Sequence, residues 1–495
     1  MDAGDPVDPV TLDPPTGLTG ALGPGGFVAL SWAPSPGASR YHVWRRTDAD
    51  AGYEEVADSE STTALDDPSA LATYHYAVTA ATKDRLSGYS NEVEVVVPAA
   101  GAELTWPNAD SQTNGDPWLR QHHDEVAELR PRVLVLLANN LDTPANVEAF
   151  ATQAMAAFAE GSRYHGYQDP DATPQLVYEL DKVADMRDDS VNDWPDDWPT
   201  VGAGESLTFV YEGLFSQEFA AHYGYPDPDD PSRFLGLCDL FERGIVNELW
   251  VAAPRYSGNP LGVYESKARV QVYDERMDAT GVFDSCAANG CFEPGVAGLC
   301  KVSVRLMELA TDRGTGCATH ATGHGMEGLR RAIPYYSVNS ARFFNFDLIA
   351  RHGLPMDSQY DQCDYGTAAC WAYPDDHTLA KSPEGGATVG DFSFDEWGDG
   401  CGNVHFPPNA AQQYDYTGAV PVLSTCESYG QGNGPAGGDL QSPYSSDLVA
   451  DYETLYGDCG GGWQIYMRQS IPGHGNGGTG EDGLPMKSWW PFLYY

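Results

Sequence analysis

The sequence predicts an all-β sandwich near the N-terminus followed by a large α/β domain, the C-terminal half of which is loop-rich and stapled by disulfides. Three observations carry this reading. Residues 15–98 hold short runs of alternating apolar and polar residues, broken by Gly, Pro and Asp clusters. From residue 107 to about 280, short apolar runs alternate with helical stretches. All ten Cys fall between Cys238 and Cys459, where Gly, Pro and aromatic residues also become dense.

The expected organisation is an acidic, Pro-rich linker over 1–14, the sandwich over 15–98, a second linker over 99–106, and one large domain over 107–495. In the first segment, Phe27 to Trp32 reads as a strand, and Tyr41 to Arg45 and Tyr74 to Ala80 alternate. Leu30-Ser31-Trp32, Tyr41-x-Val43, Tyr74-x-Tyr76-x-Val78-x-Ala80 and Gly88-Tyr89-Ser90-Asn91 together resemble a fibronectin type III module. The resemblance implies a two-sheet sandwich with Tyr74 as its tyrosine corner and says almost nothing of function. In the large domain, Arg132–Ala138, Leu176–Leu180 and Asn247–Ala253 are expected strands of a partly parallel sheet. Ala145–Glu160 and Phe234–Arg243 are expected helices.

Composition excludes some partners. The formal net charge is −45, from 72 acidic and 27 basic residues, which repels nucleic acid and anionic lipid. Solubility, Ca²⁺ binding and life in high salt are the competing readings of the acidity. Asp188 to Trp198 is the densest acidic loop, but it lacks the spacing and central Gly of an EF-hand. There is no run of 18 apolar residues, so no membrane-spanning helix is expected.

The ten Cys include no C-x-x-C pair, which disfavours a zinc ribbon and a thioredoxin-like motif. Their even number reads as disulfides and hence an oxidising, extracellular or cell-surface location. Proximity suggests Cys286 with Cys291, Cys363 with Cys370, and Cys401 with Cys426. The opening Met-Asp-Ala-Gly-Asp-Pro has neither a basic nor an apolar leader region, so the expectation is a mature secreted chain with an added start Met.

The chemistry is expected to centre on Thr319-His320-Ala321-Thr322-Gly323-His324-Gly325-Met326-Glu327. On a helix, positions 320, 324 and 327 fall within roughly 40° of one another. Two imidazoles and a carboxylate on one face suit zinc, which takes three protein ligands and leaves one position open in catalytic sites. Glu327 is a candidate third ligand or a general base acting on metal-bound water. The glutamate that follows the first His in H-E-x-x-H proteases is missing here. The competing structural reading is a Gly-rich loop with packed histidines, since each interior Gly costs a helix about 1 kcal/mol.

Cys401-Gly402-Asn403-Val404-His405-Phe406-Pro407-Pro408-Asn409 supplies His405 as a distal ligand on a rigid loop. Tyr414 and Tyr416 are candidate oxyanion donors, and Glu265 is a candidate pocket carboxylate beyond a strand end. There is no G-x-S-x-G elbow, phosphate loop or dinucleotide fingerprint. Gly323-His324-x-x-Glu327, the Cys401–Asn409 run, Tyr414-Asp415-Tyr416 and Trp489-Trp490-Pro491-Phe492 resemble a family of secreted bacterial proteins without an assigned reaction. That resemblance, over about 130–495, implies secretion and a site gathering His324, Glu327 and His405.

The expected function is a secreted zinc-dependent hydrolase, peptidase-like in its paired His, acting on a peptide or glycan polymer. A non-enzymatic adhesion, matrix or glycan-binding protein and a glycan-active enzyme using two carboxylates are the alternatives.

Overall fold

A computed structural model describes residues 12–495, apart from 23–27, 48–51, 67, 69–71, 98–102, 138–140, 187–199, 202–207, 254–264, 294–299, 345–370, 373–374, 376–377, 382–391 and 394–399. The acidic loop Asp188–Trp198 and the suggested Cys363–Cys370 pair therefore lie outside the described residues. The chain divides into two compact units, one built on residues 1–102 and the other on most of 103–495.

Among the described residues the first unit has eight strands: β1 Thr16–Leu22, β2 Val28–Ala33, β3 Arg40–Thr47, β4 Glu54–Ser59, β5 Thr63–Asp66, β6 Ala72–Thr82, β7 Arg85–Leu86 and β8 Val93–Val97. They form a β1-β2-β5 sheet and a β4-β3-β6-β7 sheet, with β8 also on β6. Alternation decides which side chains face inward: Val28, Leu30 and Trp32 of β2 meet Tyr41 and Val43 of β3 in one core. Tyr74 is buried there, while the neighbouring Tyr76 hydroxyl donates to Asp66 at 2.6 Å. Asp66 is in turn paired with Arg45 at 3.0 Å.

The second unit contains a six-stranded sheet. Its strands in chain order are β9 Arg132–Leu137, β10 Glu179–Asp185, β11 Glu248–Ala252, β12 Lys267–Tyr273, β13 Ala279–Asp284 and β14 Val304–Leu309. The spatial order is β10-β9-β11-β14-β12-β13. The first four are mutually parallel, and β12 and β13 complete the sheet antiparallel. Central parallel strands need cover on both faces, which is why all of β11 and β14 is buried. Leu134, Leu136, Leu249, Val251 and Leu306 point to one face and pack on Tyr223, Leu240 and Phe241.

Helices cover the other face. α1, Pro144–Gly161, starts at Thr143, whose side chain accepts from Asn146 N at 3.2 Å, with Pro144 at its first position. Its buried Val147, Ala151, Ala154 and Phe158 form one stripe, and Phe158 lies 5.6 Å from the Trp250 ring of β11. α2, Thr315–Gly328, follows directly from the central strand β14, and α3, Gly461–Gln469, packs against both α1 and α2. The expected strand at 176–180 begins instead at Glu179, because the pairing with β9 runs from Arg132–Glu179 to Leu137–Asp185.

Among the described residues, four disulfides join Cys238–Cys300, Cys286–Cys291, Cys317–Cys459 and Cys401–Cys426. Two of these are pairs that proximity suggested. The other two close 62 and 142 residues of chain, which spacing could not reveal. Among the described residues no helix is long and apolar enough to cross a membrane.

Candidate metal centre

α2 is a helix despite its glycines because close packing needs them. A Cβ on Gly316 would sit 2.3 Å from Asp458 O and 2.6 Å from Gly461 Cα, so the start of α2 lies backbone-to-backbone on the start of α3. The Cys317–Cys459 disulfide and the Arg313–Asp458 ion pair, at 2.6 Å, tie the same two ends together. About two turns later, a Cβ on Gly323 would come within 2.6 Å of Val404 Cγ2. That gap lets the loop carrying His405 lie directly on the helix.

The loop is held in detail. Cys401 is bonded to Cys426, and Asn403 Oδ1 accepts from the backbone N–H of His405 at 2.9 Å and of Phe406 at 3.0 Å. From α3, Trp463 Nε1 donates to Asn403 O at 2.9 Å, and Gln464 Nε2 donates to Val404 O at 2.8 Å. His405 is thus placed by two disulfide-braced segments and by α3.

The result is a triangle of imidazoles. Ring centroids are 5.1 Å apart for His320–His324, 5.2 Å for His320–His405 and 4.8 Å for His324–His405. One ring nitrogen from each lies within 4.8 Å of the others. Each Nδ1 has a partner from outside the triangle. His324 Nδ1 meets Glu327 Oε2 at 3.1 Å, and His320 Nδ1 meets Tyr416 Oη at 3.3 Å. Tyr416 donates its own proton to Val404 O at 2.9 Å, so it accepts from His320. Gln413 lies 2.9 Å from His405 Nδ1 through its side-chain amide. A half-turn of that amide presents its oxygen to an Nδ1–H instead. With Nδ1 protonated in all three, the Nε2 lone pairs are left for a cation, the arrangement that fixes ring tautomers in metal sites.

Burial favours a neutral imidazole at His405. Burial pushes the His405 pKa down to about 4, with His324 adding to the shift and Glu327 opposing it. Burial alone would raise the Glu327 carboxyl. The His324 hydrogen bond and charge and the Val404 N–H outweigh it, so Glu327 stays below the usual glutamate range and ionised.

Glu327 takes a different place from the one its spacing first suggests. Its second oxygen, Oε1, accepts from Val404 N at 2.8 Å, so both oxygens are engaged and neither joins the converging nitrogens. It braces His324 and ties the loop to the helix. Glu265 is also apart from the cluster: its side chain is 48% exposed and pairs with Lys267 at 3.3 Å. Tyr414 stands at the mouth, its ring 4.3 Å from that of His405 and 5.8 Å from that of His320. Its φ of 64° is left-handed, a conformation a tyrosine adopts only under outside constraint. Gln413 was not singled out by sequence, since one of two adjacent glutamines carries no signal of its own.

Over about 18% of the chain, the structural neighbours are fibronectin type III domains. A fibronectin type III-like protein from Clostridium thermocellum is 31% identical, covering 18% of this chain and 95% of that one at a TM-score of 0.17. The crystal structure of FN3tt is 18% identical, covering 18% and 97% at 0.16. A human fibronectin type III domain is 18% identical, covering 22% and 93% at 0.18. No family model matches the chain, and no curated protein matches it either.

Proposed function

We propose that this chain is an extracellular metal-dependent hydrolase, with His320, His324 and His405 holding a single divalent ion, zinc by the chemistry of the donors. The observation that carries the reading is the convergence of three imidazoles whose Nδ1 atoms each have a hydrogen-bonding neighbour outside the triangle. Three neutral nitrogens leave the ion its charge and a fourth position for water, which a zinc ion acidifies to near neutral pH. Tyr414, over the mouth, is the candidate to meet an oxyanion; Glu327 orients. The disulfides support an oxidising compartment, and the α/β reading of the second unit rests on its four parallel strands. The substrate class is an extracellular polymer, with a peptide bond first.

A second reading has its own support. His405 is 8% exposed and the Tyr414 ring leans on it, so the ion would be largely enclosed and could serve structure alone in a binding protein. Turnover of peptide and ester libraries by zinc-loaded protein, abolished by chelator and restored by zinc, decides between them. Chelator-sensitive turnover supports the hydrolase; bound zinc with no turnover on any of them supports the binding protein.

A further inference from the structure

Gly323 of α2 is the point where three parts of the metal centre meet. It stands about 60° around the helix from His320, at roughly 100° per residue, beside the face that carries both α2 histidines. A Cβ at Gly323 would lie 2.6 Å from Val404 Cγ2, 3.6 Å from Gln464 Oε1 and 3.7 Å from Arg468 Nη2. The helix, the His405 loop and α3 therefore close on one another at a spot with no room for a methyl group.

α3 grips both of the others. Gln464 and Arg468 are four residues apart, so they share one side of that helix, and both are buried. Gln464 Nε2 donates to Val404 O at 2.8 Å. Arg468 Nη2 donates to Thr319 O and to Thr322 Oγ1, on either side of His320 in sequence, and Glu327 counters its charge. One stripe of α3 thus fixes the distance between the helix bearing His320 and His324 and the loop bearing His405. Val404 passes that distance on to the rings. Its N–H donates to Glu327 Oε1 at 2.8 Å, and the other Glu327 oxygen meets His324 Nδ1 at 3.1 Å. Its carbonyl accepts from Tyr416 Oη at 2.9 Å, and that hydroxyl meets His320 Nδ1 at 3.3 Å. The next residue is His405 itself. A displacement of Val404 therefore moves one ring and loosens the partners of the other two.

We propose that Gln464 is a positioning residue for the metal: by holding Val404 O it sets the width of the imidazole triangle, and with it the coordination number of the ion. The inference rests on the metal-site reading above. Zinc has no geometric preference from its d-electrons, so four-coordination has to be enforced by the spacing of the protein ligands. Changing Gln464 removes no ligand. A purely structural role would lower stability and leave the geometry of a bound ion alone.

Cobalt(II) is the probe, because its visible absorption is intense with four ligands and weak with six. The cobalt-loaded full chain should absorb strongly. Gln464→Leu should lose much of that intensity as further water enters, and its zinc affinity should fall by about 10–100-fold. Gly323→Ala reaches the same displacement independently, since its methyl would push Val404 away. It should weaken the cobalt bands too, and Gly323→Ala/Val404→Ala, which removes the colliding Cγ2, should restore them. If Gln464→Leu does not fold, the glycine pair decides. A wild type that takes up neither cobalt nor zinc removes the metal reading and this inference with it. Bound cobalt that is six-coordinate in wild type, or four-coordinate and unchanged in folded Gln464→Leu, overturns this inference alone, as do glycine variants that leave the bands unaltered.

Discussion

Glu327 and His324 meet at 3.1 Å within one helix, three residues apart, while the other Glu327 oxygen holds the backbone N–H of Val404 at 2.8 Å. A single buried carboxylate thus sets the orientation of one imidazole and the seat of the loop that brings the third. Glu327→Gln keeps one acceptor and loses the other. It should lower zinc affinity by about 10–100-fold and cost roughly 1–3 kcal/mol of stability. Competition with a chromophoric chelator checks the affinity. Unchanged affinity with lost turnover would make Glu327 a base instead of a brace.

Tyr416 and Tyr414 should separate. Tyr416→Phe removes the acceptor for His320 Nδ1–H but leaves Val404 O satisfied by Gln464. Metal affinity should fall about tenfold, with at most about 1 kcal/mol lost in unfolding. Tyr414→Phe keeps the ring over His405 and His320, so affinity should hold. If its hydroxyl meets an oxyanion, turnover should fall by about 10²-fold or more, read as kcat on any substrate found.

Acid should destabilise the metal-free protein through His405. Its folded pKa, about 4, lies below the unfolded value of about 6.5. The unfolded chain therefore binds more protons between these values, and stability falls as pH drops from 6.5 to 4, by roughly 3 kcal/mol at most. Melting curves of wild type and His405→Asn across this window test it. The variant should lose part of the slope; identical slopes would show that His405 is not held neutral by its surroundings.

The Cys317–Cys459 disulfide closes 142 residues and pins the first turn of α2 to α3. Replacing both by Ala should cost about 2–5 kcal/mol and weaken metal binding, since the helix start sets where His320 stands. Denaturant unfolding and metal titration of the double variant measure both. Unaltered metal affinity would mean that the Arg313–Asp458 pair and the Gly316 packing suffice.

Local signals carried much of the fold. The buried strands at 132–137 and 248–252 were legible because a parallel strand covered on both faces is one apolar run. β10 was misplaced by three residues: Leu176 and Tyr178 are buried yet precede the strand, and its register belongs to β9. That His320 and His324 share one face of a helix was legible from spacing alone. Glu327 as a brace was within reach, because residues three apart on a helix touch. Gln413 and Tyr416 as partners of the ring nitrogens were not, since Tyr416 lies 96 residues from His320 in sequence and only the folded loop joins them. The same holds for Arg468, which reaches α2 from 146 residues away.

The most direct test is metal content by inductively coupled plasma mass spectrometry, after zinc reconstitution, on wild type and on a folded His320→Ala/His324→Ala variant. The account predicts close to one zinc per wild-type chain and none in the variant. Zinc retained by the variant, or none in wild type, would contradict it.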